Sequence, residues 1–318
     1  MVVKVSGNIL ITGGAGFIGC NLVEYLLTIP SVNKVYLCDN LSSGRVDFLP
    51  SDSRVEFIYC DIENYEKLDK IFPDGIDYVF HLAAHFANQN SVDNPISDIR
   101  TNILGSLNLL QVCKDRGVIK VINASSSCLY GNLDIMSEDS KIYPIETPYA
   151  INKFTAEMYF TYFSHLYHLP TLNLRIFNTF GKYELAHRYR NVIPNFIDLA
   201  LKNKPLTITG DGNETRDFTY VTDTIKLMVD MMDSELGDGD IFNAGTGKPT
   251  SIKYLAETII DKTNSKSEII YKPRRNWDGV VDRLSDIEKS KRVFNYTPNI
   301  TLEDGLDETI EWYSNVIL

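Results

Sequence analysis

The first half of the chain alternates short, almost wholly apolar runs with longer stretches whose apolar residues recur at helical spacing. The runs "NILIT" (8–12), "KVYLCD" (34–39), "VEFIYCD" (55–61), "DYVFHLAA" (77–84) and "VIKVINAS" (118–125) show no strict apolar–polar alternation. Strands read this way when a parallel sheet buries both of their faces. Between them, 16–28, 63–72 and 95–116 carry helical periodicity. Strand–helix–strand repetition at this spacing predicts a doubly wound α/β sheet. The second half is less regular. "TLNLRIFN" (171–178) reads as a further strand, and 192–203, 251–264 and 302–317 read as helices, with turn-rich "GDGNET" (210–215) and "GDGD" (237–240) between them. The expected division is 1–181 plus 218–245 for the sheet domain, and 182–217 plus 246–318 for a smaller, discontinuous second domain.

Composition narrows the class. At 318 residues the chain can hold a large core. A net charge of −11 speaks against a generic polyanion-binding role, so no nucleic-acid partner is expected, and an anionic small molecule would have to be held by a few placed arginines. The five cysteines, Cys20, Cys38, Cys60, Cys113 and Cys128, are scattered and show no CxxC spacing. They predict reduced thiols in a cytoplasmic protein with neither a disulfide framework nor a metal site. No apolar run approaches the roughly 18 residues of a membrane span, and the start of the chain runs straight into a motif, leaving no room for a cleavable signal.

That motif is "ILITGGAGFIG". Gly14-x-Gly16-x-x-Gly19, with Gly13 one residue earlier, lies between an apolar strand and an amphipathic helix. Glycines at this spacing allow a tight turn, a close backbone approach to a pyrophosphate and close packing of helix on strand. The pyrophosphate then meets free N–H groups at the helix N-terminus. Asp39 follows Gly19 by 20 residues, at the end of the next strand. There it can accept from ribose hydroxyls and repel a 2′-phosphate, which points to NAD over NADP, with Arg45 as the one opposing signal. Asp61, closing its own strand, is a candidate adenine contact or a plain turn aspartate.

In "ETPYAINKFTAE" (146–157), Tyr149 and Lys153 stand four residues apart, neighbours on one helix face. A lysine ammonium held there would favour the ionised phenol and let tyrosine act as a base near neutral pH. Spacing alone leaves open two ordinary residues sharing a face.

Taken in order, "TGGAGFIG", "DN" (39–40), "DI" (61–62), "HLAA" (81–84), "TNILGSLNLL" (101–110), "SSSCLYG" (125–131), Tyr149-x-x-x-Lys153, "LRIFNTFG" (174–181), "GDGNETRDFTYVTD" (210–223) and "FNAGTG" (242–247) resemble the extended branch of the short-chain dehydrogenase/reductase superfamily. The likeness is to its nucleotide-sugar epimerases and dehydratases. It implies a Rossmann sheet binding NAD, and a smaller domain binding a nucleotide-diphosphate sugar. It places Gly13, Gly16, Phe17, Ile18 and Gly19 on the cofactor. Asp39, Asn40, Ser43, Gly44, Asp61 and Ile62 follow, then Leu82, Ala83, Ala84 and Asn102. It makes Ser126, Tyr149 and Lys153 catalytic, with Lys153 also holding the nicotinamide ribose. Ser127, Asn178, Asn191, Arg216, Arg275 and Asp278 join Ser126 and Tyr149 on the substrate. Arg275 is the less secure of the two arginines, because Arg274 adjoins it and "RRNWDGVVDRLSDI" runs one residue long before "DI".

The scaffold itself does not choose a reaction. By resemblance, dehydratases and decarboxylases supply carboxylic acids just after the serine; here Ser127 and Cys128 stand there. That pair points to a 4-epimerase of a UDP-hexose type substrate. Another nucleotide-sugar enzyme (a 4,6-dehydratase, decarboxylase or ketoreductase) is the runner-up, and a non-catalytic NAD-binding regulator is a distant third. His85 and Phe86 fall where the sugar pocket should begin. The stretch near Asp282 and Arg283 usually gates pocket size, so an arginine there meets either a charged sugar or only solvent. His81 reads as packing near the cofactor, and His165 and His168 as plain helix histidines. The apolar stripes on 99–112 and 154–166 read as core or, by resemblance, as the four-helix interface of a homodimer.

Overall fold

The computed structural model describes residues 5–275 and 279–317. Its centre is a seven-stranded parallel sheet assembled from β1 (Gly7–Thr12), β2 (Val32–Asp39), β3 (Val55–Tyr59), β4 (Tyr78–His81), β5 (Lys120–Ser126), β6 (Thr171–Ile176) and a later strand, Asp238–Ala244. The spatial order runs β3-β2-β1-β4-β5-β6 and ends on that later strand. The order reverses between β1 and β4, and a crevice opens there at the carboxyl ends of the strands, where ligands of open α/β sheets bind. The continuous apolar runs are explained by burial: every residue of β5 is buried, and Ile9, Leu10 and Ile11 of β1 are at most 1% exposed.

Helices cover both faces. α1 (Phe17–Leu27) follows β1, α2 (Tyr65–Ile71) follows β3, and α3 (Asn88–Asp93) and α4 (Pro95–Ile99) follow β4. The stretch 95–116 does not form one regular helix. After α4 comes a wider turn of π type, Arg100–Gly105, and then α5 (Ser106–Asp115). A side chain at Gly105 would meet Ile62 Cδ1 at 2.6 Å, so glycine lets the helix close on the end of β3. β4 is also shorter than its apolar run, because "LAA" turns off the sheet into the crevice wall.

α6 (Pro148–Tyr167) is the longest helix described, and its start is strongly specified. Thr147 Oγ1 accepts from Ala150 N at 3.2 Å, Pro148 takes the first turn, where no N–H is needed, and Tyr149 N donates to Ser91 Oγ at 3.0 Å. At its far end His168 adopts the left-handed conformation at φ 55°. Between these ends a buried network locks the helix to the sheet. Arg175 of β6 donates to both carboxylate oxygens of Glu157, Ser125 Oγ donates to Glu157 Oε2 at 2.8 Å, and Tyr130 OH accepts from Arg175 and donates to Asn243 Oδ1.

The second half is built from short pieces: β7 (Thr179–Phe180), α7 (Val192–Leu201), β8 (Leu206–Thr209), β9 (Thr215–Arg216), β10 (Thr219–Tyr220), α8 (Val221–Asp233), β11 (Asp238–Ala244, the sheet's last strand), β12 (Thr250–Ser251), α9 (Ile252–Lys262), β13 (Ile269–Lys272), α10 (Glu288–Phe294) and α11 (Leu302–Ile317). β8 and β13 pair in parallel, β9 and β12 antiparallel. α8 and β11 have no counterpart among the predicted elements. Tyr220, at the N-cap of α8, offers no side-chain acceptor to the helix, and β11 begins in the polar "GDGD" that reads as a turn. None of the described helices is long and apolar enough to cross a membrane.

Candidate active site

A cleft of about 700 Å³ runs along the carboxyl ends of the strands into the second half of the chain. Its first wall is main chain. Gly13 sits at φ 71°, and a Cβ there would lie 2.7 Å from Ala83 N. A Cβ on Gly19 would lie 2.5 Å from Gly13 O, so α1 can start against the loop only with glycine at that position. Asp39 is held in place at the end of β2: Oδ2 accepts from Ala15 N at 3.1 Å and Oδ1 from Leu41 N at 2.8 Å. Burial pushes its carboxyl up, and those N–H groups pull it back. Asn40 Nδ2 donates to Asp61 Oδ2 at 3.1 Å, linking the two strand ends. The cradle of close-packed glycines, the open N-terminus of α1 and a carboxylate at the ribose position fit a dinucleotide. Arg45 turns outward, ion-paired to Asp47 at 2.9 Å and stacked over Phe48, so the signal that opposed NAD is occupied elsewhere.

Gly13, Gly16, Phe17, Ile18, Gly19, Asp39, Asn40, Ser43, Asp61, Ile62, Leu82, Ala83 and Ala84 all line the cleft. Gly44 and Asn102 do not. Gly44 packs under the glycine loop, where a Cβ would meet Ala15 at 2.9 Å. Asn102 is buried behind the wall: its Oδ1 accepts from His85 N at 2.9 Å, and its amide donates to Asp98 Oδ1 at 2.9 Å. It holds the wall's shape from behind.

At the far end of β5, Ser126, Ser127, Cys128, Tyr149 and Lys153 converge on the same cleft. Ser126 Oγ accepts from Cys128 N at 3.2 Å and favours the ionised form of the Tyr149 phenol. Phe86 stands edge-on to the Tyr149 ring with centroids 5.9 Å apart, and His85 lies beside it in the lining. Burial and other neighbours weigh more on the resting phenol than the i, i+4 lysine does. Lys153 Nζ donates to Ala124 O at 2.9 Å and stands 5.9 Å from the tyrosine ring centroid. Burial pushes the Tyr149 phenol well above its ordinary value, Cys128 and Asp98 add to the rise, and Ser126 and Arg283 oppose it. Burial also pushes Lys153 down, to about 8, with Asp98 and Cys128 countering. The pair therefore rests as a neutral phenol beside an amine that titrates close to physiological pH.

On the opposite wall Asn178, Asn191, Arg216 and Arg275 line the cleft, and Asp278 lies outside the described residues. Arg216 donates to the carbonyls of Val280 and Val281, fixing the segment that follows Gly279. Arg274 reaches the wall too, held by Glu214 through Nε and Nη2. One lining residue carried no sequence signal, and the contacts of another were not legible in the chain. Glu184, 2% exposed, accepts from Asn191 Nδ2 at 3.1 Å and is pushed up to about 7 by burial, with Arg190 opposing. Cys128 accepts hydrogen bonds from Asn88 Nδ2 at 3.4 Å and Arg283 Nη1 at 3.0 Å. The histidines outside the cleft are structural. His81 bonds Thr12 Oγ1 and Ser106 Oγ and is held neutral by burial, down to about 3; His165 Nε2 meets Asp238 O.

Residues 9–245 match the model of the NAD dependent epimerase/dehydratase family. The chain belongs to this family, and its cofactor is NAD. The UDP-glucose 4-epimerase of Thermotoga maritima, solved with UDP-glucose, superposes with a TM-score of 0.92 at 35% identity, covering 98% of this chain and 100% of that one. A UDP-glucuronate 4-epimerase of Thermodesulfobacterium geofontis is 35% identical over 96% of each chain. A UDP-N-acetyl-alpha-D-glucosaminuronate decarboxylase of Bacillus cytotoxicus is 33% identical over 96% of this chain and 98% of its own. The relatives thus share a nucleotide-sugar theme but divide over the reaction.

Proposed function

We propose that the protein is a 4-epimerase of a UDP-linked hexose derivative that works through a transient 4-keto sugar. One observation carries this reading. The turn that follows Ser126 brings only Ser127 and Cys128 to the reacting end, and the described acidic residues of the lining come from the ends of β2 and β3 and from beyond β6. Elimination of water or assisted loss of carboxylate would want a carboxyl group beside the reacting carbon, whereas oxidation and return need only a proton acceptor and donor.

Ser126 Oγ and the Tyr149 phenol flank the C4 hydroxyl. Tyr149 takes its proton, directly or through Ser126, and gives it back after the sugar turns. Lys153 and Arg283 supply the positive charge that favours the phenolate during that exchange. The glycine loop with Asp39 and Asp61 would hold NAD, which would supply the hydride acceptor and donor for C4. Asn178, Asn191, Arg216 and Arg275 hold the nucleotide diphosphate while the sugar rotates, arginine forks being suited to phosphate oxygens. In this reading 1–181 plus 218–245 bind NAD, and 182–217 plus 246–318 bind the nucleotide sugar.

Two further features fit a homodimer. Ile151, Met158, Tyr162 and Leu166 recur along the outer face of α6, each 44–54% exposed, and Ile99 and Leu104 lie exposed on the neighbouring helix. Two copies pairing these faces would bury them in a four-helix bundle, and Met158→Glu is expected to give a monomer by light scattering.

The deciding experiment incubates the purified protein with UDP-glucose, UDP-N-acetylglucosamine and UDP-glucuronate, following products by NMR and absorbance at 340 nm. A single C4 epimer with no lasting NADH supports the assignment. A 4-keto-6-deoxy sugar, a pentose or stoichiometric NADH refutes it.

A further inference from the structure

The turn before α7 carries an acid that the proton chemistry at Tyr149 does not use. Glu184 lines the cleft on the same wall as Asn178, Asn191 and Arg216, and it is almost wholly buried. One carboxyl oxygen, Oε1, accepts from Asn191 Nδ2 at 3.1 Å. The other, Oε2, is closed to solvent and has no hydrogen-bond partner among the described residues. A polar oxygen taken out of water and left unmatched is costly, and most such atoms in folded proteins are paired. Oε2 is placed to find its partner in whatever fills the cleft.

The protonation of this carboxyl decides what that partner is. Burial pushes Glu184 up to about 7, while Arg190 on the same turn and Asn191 oppose the rise. From the helices beyond the turn, the neighbouring titratable groups are Tyr313 of α11 and Asp198 of α7. The Tyr313 hydroxyl accepts from Ala186 N, and its phenol is pushed up by burial, with Glu184 and Asp198 adding to the rise. Asp198 is ion-paired to Lys202 at 2.6 Å. Neither gives Oε2 a hydrogen bond. The oxygens of an ionised diphosphate accept and do not donate. A carboxylate here would repel them, whereas a carboxylic acid has an O–H to offer.

We propose that Glu184 binds in its protonated form, Oε2 donating to a diphosphate oxygen of the nucleotide held on this wall, so that binding takes up a proton. The proposal rests on the reading that puts a nucleotide sugar here, and the test separates the two. Calorimetry in buffers of different ionisation enthalpy counts the protons taken up as UDP-glucose binds the NAD-loaded Tyr149→Phe protein. At pH 8 this parent should take up about one proton per ligand more than the same protein carrying Glu184→Gln, whose amide donates at every pH. Lys153 titrates in both proteins, so the difference between them reports Glu184 alone. The parent's Kd should be flat below pH 7 and rise by up to about tenfold per unit above it. Glu184→Gln should lose that slope, and Glu184→Leu, with no donor, should bind weakly throughout. Equal uptake by parent and Glu184→Gln, or a parent Kd that ignores pH, would overturn the proposal. A second arm titrates NAD into the cofactor-free protein. Uptake with NAD and none with UDP-glucose would assign the donor to the cofactor's pyrophosphate, its chemistry unchanged. If UDP-glucose does not bind at all, the nucleotide-sugar reading falls and the NAD arm still decides the role of Glu184.

Discussion

At the dinucleotide end of the cleft the wall is main chain, shaped by Gly13 and Gly19 where a single added carbon would collide with backbone at 2.7 and 2.5 Å. At the sugar end the wall is side chain, drawn from the end of β5, the start of α6, the turn before α7 and the stretch after Gly279. A backbone wall tolerates almost no substitution and does the same task in any chain that has it. A side-chain wall is rewritten one residue at a time, so it is where a shared cofactor is directed to different sugars and different reactions.

If the sugar end carries the proton chemistry, Tyr149→Phe should lower kcat by about 10²- to 10⁴-fold while NAD stays bound, the range general acid–base groups supply. Near-normal turnover would break the contrast, because the phenol would then be wall and not chemistry. Next in size, Arg175→Met leaves Glu157 buried and unpaired, which typically costs about 3–5 kcal/mol, visible as a lower thermal midpoint. Unchanged stability would mean that the network under α6 does not set the phenol's position.

The third test uses pH. Lys153 is pushed down to about 8. Its ammonium is present below that value and lost above it, so kcat/KM should fall tenfold per unit on the alkaline side once the charge is gone. A Lys153→Met profile should lack that limb, and a wild-type rate still rising beyond pH 9 would detach the lysine from the reaction. The smallest effect belongs to the dinucleotide end: Asp39→Asn should weaken NAD by about tenfold, the loss of one charge-assisted hydrogen bond, while affinity for NADP rises.

The sequence revealed these two ends unequally, and the reason is physical. The glycine loop must be contiguous and must be glycine, so its spacing is written directly in the chain, and β4, β5 and β6 announce themselves because burial on both faces demands unbroken apolar runs. Tyr149 and Lys153 are paired by helix geometry, so position was legible, but the electrostatics were not. The resting phenol is governed by depth of burial and by Asp98 and Cys128, contacts that span distant segments. Glu184 and the Cys128–Arg283 contact joins were invisible for the same reason, being made between residues far apart in sequence. Asn102 is the converse case: the resemblance places it on the cofactor, and its contacts with His85 and Asp98, which lie outside its own turn or deep in the fold, were not legible.

The network of Arg175, Glu157, Ser125, Tyr130 and Asn243 ties α6 to three adjacent strands directly beneath the reacting serine. A library meant to retarget this enzyme would therefore do best to leave those five positions untouched and diversify 127–128 and 280–283. Sugar choice could then drift freely while the geometry that makes any product at all is inherited unchanged.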